Sequence, residues 1–217
     1  ILDDLAPLRQ AGAVKADEAF HLFAPSTAVR LHVPEQVERR LPTGDNPPPG
    51  AVIDYYLKAA PAANEEITLE FLDQDGKLLK RFSNRKRADA FEQPPEWVDR
   101  EAPVEVIPAV AGANRFAWNF HREDPTPIPG AFYEGSGPRG PIVKPGRYQV
   151  RLTVHGKSQT QPLEIIVDPR LKGQVTERDL NELDDLAVHT AADVDALHRA
   201  VNQIRDTRTR LQTIQKW

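Results

Sequence analysis

Arg147-Tyr148-Gln149-Val150-Arg151-Leu152-Thr153-Val154-His155 alternates between polar and apolar side chains. Period two puts Tyr148, Val150, Leu152 and Val154 on one side of an extended chain and Arg147, Gln149, Arg151 and Thr153 on the other. That is a strand with one buried and one wet face. Pro145-Gly146 opens it, and His155-Gly156-Lys157 turns the chain into a second strand, 158–167, where Leu163, Ile165 and Val167 alternate. The pattern recurs upstream. Apolar runs at 67–72 and 77–82 flank Asp73-Gln74-Asp75-Gly76, and Asp-Gly between such runs predicts a hairpin because glycine accepts a positive φ. Residues 115–120 set Phe116, Trp118 and Phe120 on one face. With 29–33, 52–57 and 104–107 this makes about eight short strands joined by Pro/Gly loops, and predicts a mainly β chain built on an immunoglobulin-like antiparallel β-sandwich.

All 20 prolines lie between Pro7 and Pro169, so the last 48 residues have none. Proline removes a backbone donor and clashes inside helices, so the rich part reads as loops and strand edges and the free part as helix. The change falls at Val167-Asp168-Pro169-Arg170. Three segments follow: 1–41, a linker with one strand; 42–170, the sandwich; and 171–217, a helical tail. Thr176 is placed to cap the tail helix, with Asp179 three residues on as its capping-box partner. Leu180, Leu183, Ala187, Thr190, Val194, Leu197, Val201, Ile204, Arg208, Leu211 and Gln215 then follow a 3-4 spacing, a heptad seam. Acidic residues crowd the first half of the tail and Arg199, Arg205, Arg208, Arg210 and Lys216 the second, as the helix dipole favours. The tail reads either as one helix of roughly 60 Å or as a hairpin broken near His189-Thr190. A seam needs a partner, and the expected interface is Leu180, Leu183, Val194, Leu197, Val201, Ile204 and Leu211 against a helix of another chain, as in a homodimer.

Composition narrows the chemistry. The chain has 217 residues, 40% of them hydrophobic and 28% charged, with a net charge of −4. That is the balance of a folded, soluble chain. The absence of Cys excludes disulfides, thiol nucleophiles and Cys-based metal centres. The absence of Met leads us to expect a piece cut from a longer protein. No apolar run approaches the roughly 20 residues of a membrane span, and an acidic balance argues against bulk nucleic-acid binding.

No motif brings a catalytic set with it. Gly135-Ser136-Gly137-Pro138-Arg139-Gly140 has dinucleotide-loop spacing, but Pro138, Pro141 and Pro145 forbid the helix such a loop must start. Asp73-Gln74-Asp75-Gly76 begins like a calcium loop without its distal ligands. Asp185, His189 and Asp193 recur every four residues on the tail and read as a solvated face. His121, beside Arg122-Glu123-Asp124, is the most suggestive histidine, but polar pairing at a strand end accounts for it. Trp97, Phe132 and Tyr133 lie in Pro-rich loops and are the candidates for a glycan-stacking platform. Arg81, Arg85, Lys86, Arg87 and Arg100 form a basic run that reads as a solvated loop. No catalytic residue, metal ligand or cofactor is assigned.

Ile1-Leu2-Asp3-Asp4-Leu5-Ala6-Pro7-Leu8-Arg9 resembles the exit from the last propeller blade of bacterial sortilin-like (Vps10-type, BNR-repeat) proteins, often labelled glycosyl hydrolases. The stretch from Thr43-Gly44-Asp45-Asn46 to Asp54-Tyr55-Tyr56-Leu57 resembles the start of their C-terminal module, and Gly112-Ala113-Asn114-Arg115-Phe116-Ala117-Trp118-Asn119 with Pro145-Gly146-Arg147-Tyr148 resembles its centre. The Gly-x-Asn-x-Phe-x-Trp and Pro-Gly-x-Tyr strands are also similar to the immunoglobulin-like domains of flagellar hook-capping proteins. The resemblance implies a module that follows a β-propeller in an exported, periplasmic or extracellular, bacterial protein, with the upstream propeller as its partner. It carries no catalytic residue onto this chain. Three functional expectations follow. The first is a non-catalytic assembly module that packs on the propeller and associates through its helix. The second is a carbohydrate-binding accessory to a glycosidase, and the third an enzyme fragment whose site the propeller completes.

Overall fold

The computed structural model describes residues 5–31, 50–86, 106–133 and 138–216. After a short helix, α1 (Ala6–Gln10), come eight strands: β1 (Phe20–Leu22), β2 (Ala28–Arg30), β3 (Ala51–Leu57), β4 (Thr68–Asp73), β5 (Leu78–Ser83), β6 (Gly112–Trp118), β7 (Gly146–Val154) and β8 (Lys157–Val167). A long helix, α2 (Glu177–Gln215), ends the described chain. The strands form a three-stranded sheet, β1-β3-β6, and a five-stranded sheet, β2-β8-β7-β4-β5. The architecture is mainly β and sandwich-like, with a C-terminal helix.

Both hairpins form where turn chemistry places them. His155 and Gly156 take φ of 51° and 72°, the paired positive values of a two-residue turn that matches strand twist. In the other, Asp73 Oδ1 accepts from the backbone N–H of Asp75 and Lys77, so the carboxylate closes the turn. Tyr148, Val150, Leu152 and Val154 are buried in the core, as their alternation requires. They meet Leu69 and Phe71 of β4 and, from the facing sheet, Ile53, Tyr55, Phe116 and Trp118. The Phe71 and Trp118 rings stack at 4.1 Å and tie the sheets together at the centre.

Two features join the layers more subtly. The segment read as a linker with one strand contributes two, and they go to different sheets: β1 pairs antiparallel with β3, whereas β2 pairs parallel with β8. The inner face of β8 is apolar at Leu163 and Ile165 but carries Gln159 and Gln161 nearer its start. Gln159 accepts from the Leu22 N–H and donates to the Phe20 carbonyl, and Gln161 donates to the Leu22 carbonyl. Side chains of one sheet thus satisfy the open edge of β1 in the other, which the backbone must have once it leaves water. At the start of β7, the Tyr148 hydroxyl donates to the Lys144 carbonyl four residues upstream. Burial pushes this phenol up to about 12, so it stays a neutral donor.

The tail is one unbroken helix of 39 residues, about 58 Å long. The hairpin alternative is thereby corrected: Thr190 does not cap a second helix but bonds back to the Leu186 carbonyl within the turn, and the helix contains no Gly or Pro to break it. Its start is as expected. Thr176 accepts from the Asp179 N–H while Asp179 accepts from Thr176, a complete capping box. The backbone N–H and the hydroxyl of Thr176 both donate to the Asp179 carboxylate and hold it below the usual carboxylate range.

Candidate functional site

The surface that distinguishes this chain is the helix and the loop that grips it. Pro125-Thr126-Pro127-Ile128-Pro129-Gly130 has proline at alternate positions, so half its residues lack an N–H to give to a sheet ladder. Its carbonyls need donors from elsewhere, and α2 supplies them. His198 Nδ1–H donates to the Thr126 carbonyl at 2.7 Å, Asn202 to Pro127 at 2.9 Å and Arg205 to Pro129 at 2.8 Å. The backbone N–H and hydroxyl of Thr126 both donate to Asp195 Oδ1. Asp195, His198, Asn202 and Arg205 recur every three or four residues, so one helix face makes all these bonds. Nearer the helix start, Arg122 Nη2 donates to both oxygens of Asp184, and Lys144 Nζ to Asn181.

This docking divides the expected interface. Leu180, Val194 and Val201 are half-buried on the side facing the body. Leu183, Leu197, Ile204 and Leu211 are not covered: they are 53%, 61%, 67% and 57% exposed. Leu186 and Ile214 extend the same exposed line. One helix therefore carries a polar docked flank and an apolar open flank. Every residue from Gln203 to Lys216 is exposed, and Arg205 makes the last hydrogen bond to the body among the described residues.

The other sequence candidates resolve into structural roles. The carbonyl of His121 accepts from Trp118 Nε1, its N–H donates to Asn119 and its Nδ1–H to the Gly140 carbonyl. The acids beside it are engaged elsewhere: Asp124 accepts from Lys80 and from the Gly140 N–H, and Glu123 accepts from the Arg81 N–H. Tyr133 is drawn to the helix, its hydroxyl 3.5 Å from His198 Nε2. Phe132 is exposed. Trp97, Arg87 and Arg100 lie outside the described residues, as does Ser136 in the glycine loop. Arg81 pairs with Glu66, and Arg85 donates to the Ala63 carbonyl, so they form no common cradle. On the tail, His189 Nδ1–H donates to the Asp185 carbonyl. Among the described residues no three His, Asp or Glu side chains converge as a metal site, and no helix is long and apolar enough to cross a membrane.

The loop-gripping residues Asp195, His198 and Asn202 escape a search for apolar periodicity. The signal for them is the Pro-rich run itself, whose carbonyls demand a row of donors. One consequence is acid sensitivity. The hydroxyl and N–H of Thr126 hold the Asp195 carboxyl below the ordinary carboxylate range. A depressed folded value means stability that is fully present above the unfolded value of about 4 and is lost as pH falls through the folded value. Amide exchange at Thr126 and along residues 195–205 is therefore expected to accelerate below about pH 4, ahead of the β7 and β8 amides. In D195N, whose amide oxygen still accepts but does not titrate, that early step disappears. Equal protection of helix and sheet down to pH 2 would refute the linkage.

No family model, curated protein or solved structure matches the chain, so the fold and the open helix face stand as its own evidence.

Proposed function

We propose that the chain is a non-catalytic assembly module, with an immunoglobulin-like body, of a larger exported β-propeller protein. The observation that carries the assembly role is the exposed apolar line Leu183, Leu186, Leu197, Ile204, Leu211 and Ile214 on a helix already fastened to the body by its other flank. A solitary helix projecting into water is marginal, and six large exposed aliphatic side chains along one line are a surface that burial stabilises. The immunoglobulin-like reading is supported by three strands facing five, by β1 and β2 serving different sheets, and by the Tyr148 hydroxyl tied to the backbone four residues upstream, the arrangement of a tyrosine corner. The polar partners of His121, Glu123 and Asp124 are all structural, which favours a role without chemistry.

Leu197→Asp with Ile204→Asp tests the reading. Both positions are exposed, so the helix content and melting of the chain should be unchanged. Burying one such side chain is worth about 1.5–3 kcal/mol, so the pair should lower association through this face by at least about a hundredfold. The measurement is sedimentation of the chain with its natural flanking sequence. Association that survives both aspartates refutes the role. A carbohydrate-binding accessory is the second reading, and the exposed ring of Phe132 is its support among the described residues.

A further inference from the structure

The exposed line is more regular than its six aliphatic members suggest. Residues 183, 186, 190, 193, 197, 200, 204, 207, 211 and 214 follow a 3-4 spacing of their own, displaced from the docked flank, and every one of them is exposed. They read Leu, Leu, Thr, Asp, Leu, Ala, Ile, Thr, Leu, Ile. This exposed heptad seam shares 183, 190, 197, 204 and 211 with the line read from the sequence and is about 47 Å long between its ends.

We propose that a second copy of this chain covers the seam, with the two α2 helices antiparallel. The inference rests on the association reading above and names its partner. Charge decides the orientation. Glu182 flanks the seam near the helix start and Asp193 lies in it three residues before the helix midpoint, whereas Arg208 and Arg210 flank it near the end. A parallel pair sets acidic half against acidic half and Asp193 directly against Asp193, two like charges inside an apolar seam. An antiparallel pair sets the acidic end of one helix against the basic end of the other and separates the two Asp193 carboxylates by about 16 Å along the seam. It places Leu183 opposite Ile214 of the second copy, Leu186 opposite Leu211, Thr190 opposite Thr207, Asp193 opposite Ile204 and Leu197 opposite Ala200. In the same register Glu182 faces Arg210 across the rim. The existing partners of these two are exposed neighbours on their own helix, Arg178 and Asp206, which exchange at little cost. Polar residues inside the seam, Thr190 with Thr207 and Asp193, are devices that fix register.

The absence of Cys makes the geometry directly readable. L183C and I214C are prepared as separate proteins of the full chain, then mixed and oxidised. The antiparallel seam gives a mixed disulfide between the two variants, while L183C alone stays unlinked. Sedimentation of the unmodified chain gives twice the monomer mass, and the L197D/I204D variant sediments as a monomer. Self-linked L183C overturns the antiparallel arrangement and leaves association intact. A monomeric unmodified chain overturns self-pairing, and the association reading is then judged on the flanked protein. A dimer that ignores L197D/I204D overturns the association reading as well.

Discussion

Trp118→Ala is expected to cost about 3–5 kcal/mol of stability, the range for emptying a large aromatic site in a core. The indole is 0% exposed and is the largest fully buried side chain among the described residues. It stands on β6 of the three-stranded sheet and reaches Phe71 on β4 of the other, with ring centres 4.1 Å apart. Phe120 meets it edge-on at 5.8 Å and Tyr148 at 6.4 Å. Its Nε1–H donates to the His121 carbonyl at 2.9 Å, where the chain leaves β6 with Phe120 at φ 68°. Alanine removes the contact between the layers and the bond that holds this corner. For a chain of this size the loss corresponds to roughly 6–20 °C in Tm. Trp118→Phe keeps most of the ring burial and loses the hydrogen bond, so it should cost about 1–2 kcal/mol. Urea unfolding followed by far-ultraviolet circular dichroism checks both without relying on the deleted fluorophore. A Trp118→Ala variant within 1 kcal/mol of the parent, by about the resolution of extrapolated values, would show that the sheets are not joined here.

The same residues show what sequence alone can and cannot carry. Phe116 and Trp118 are legible as core because period two is local: each needs only its two neighbours to declare a face. The capping box of Thr176 and Asp179 is local too. The parallel pairing of β2 with β8 is not, since three residues meet a strand more than 130 positions away and nothing in Ala28-Val29-Arg30 encodes its partner. Gln159 and Gln161 share the inner face of β8, where a polarity rule expects apolar residues; they are there to bond the edge of β1.

Which flank of the helix docks is not legible for a related reason. Apolar spacing marks Leu180, Leu183, Val194, Leu197, Val201, Ile204 and Leu211 as one line for a partner helix, but the body offers a proline-rich loop whose carbonyls require donors, and only Leu180, Val194 and Val201 of that line come to lie half-buried beside it. Asp195, His198, Asn202 and Arg205 meet that demand, and hydropathy gives such a face no weight. The open carbonyls of a loop decide which flank docks, and the apolar flank stays exposed. Docking and the proposed association thus draw on different chemistry of one helix, so the acid step expected at Asp195 loosens the first without removing the apolar surface offered to the second.

Gly50→Ala is expected to cost about 4 kcal/mol from two independent sources. Gly50 holds φ at +109°, where an L side chain is strained by about 1–3 kcal/mol. A Cβ there would also stand 2.0 Å from the Trp118 carbonyl oxygen and 2.7 Å from its carbonyl carbon. Overpacking of this kind adds about 1–3 kcal/mol, and here the obstacle is backbone, which no rotamer change can move. Ala51 pairs with Trp118 in the β3–β6 register, so relief would have to shift the strand end that carries the central indole. Gly76 separates the two contributions. It has φ of +82° and nothing within 4 Å of a built Cβ, so Gly76→Ala should cost only the conformational part, about 1–2 kcal/mol. Urea midpoints at constant m-value measure the difference. Equal losses for Gly50→Ala and Gly76→Ala would mean that the close approach of Gly50 to the Trp118 carbonyl does not constrain position 50, and the glycine there would then answer to its positive φ alone.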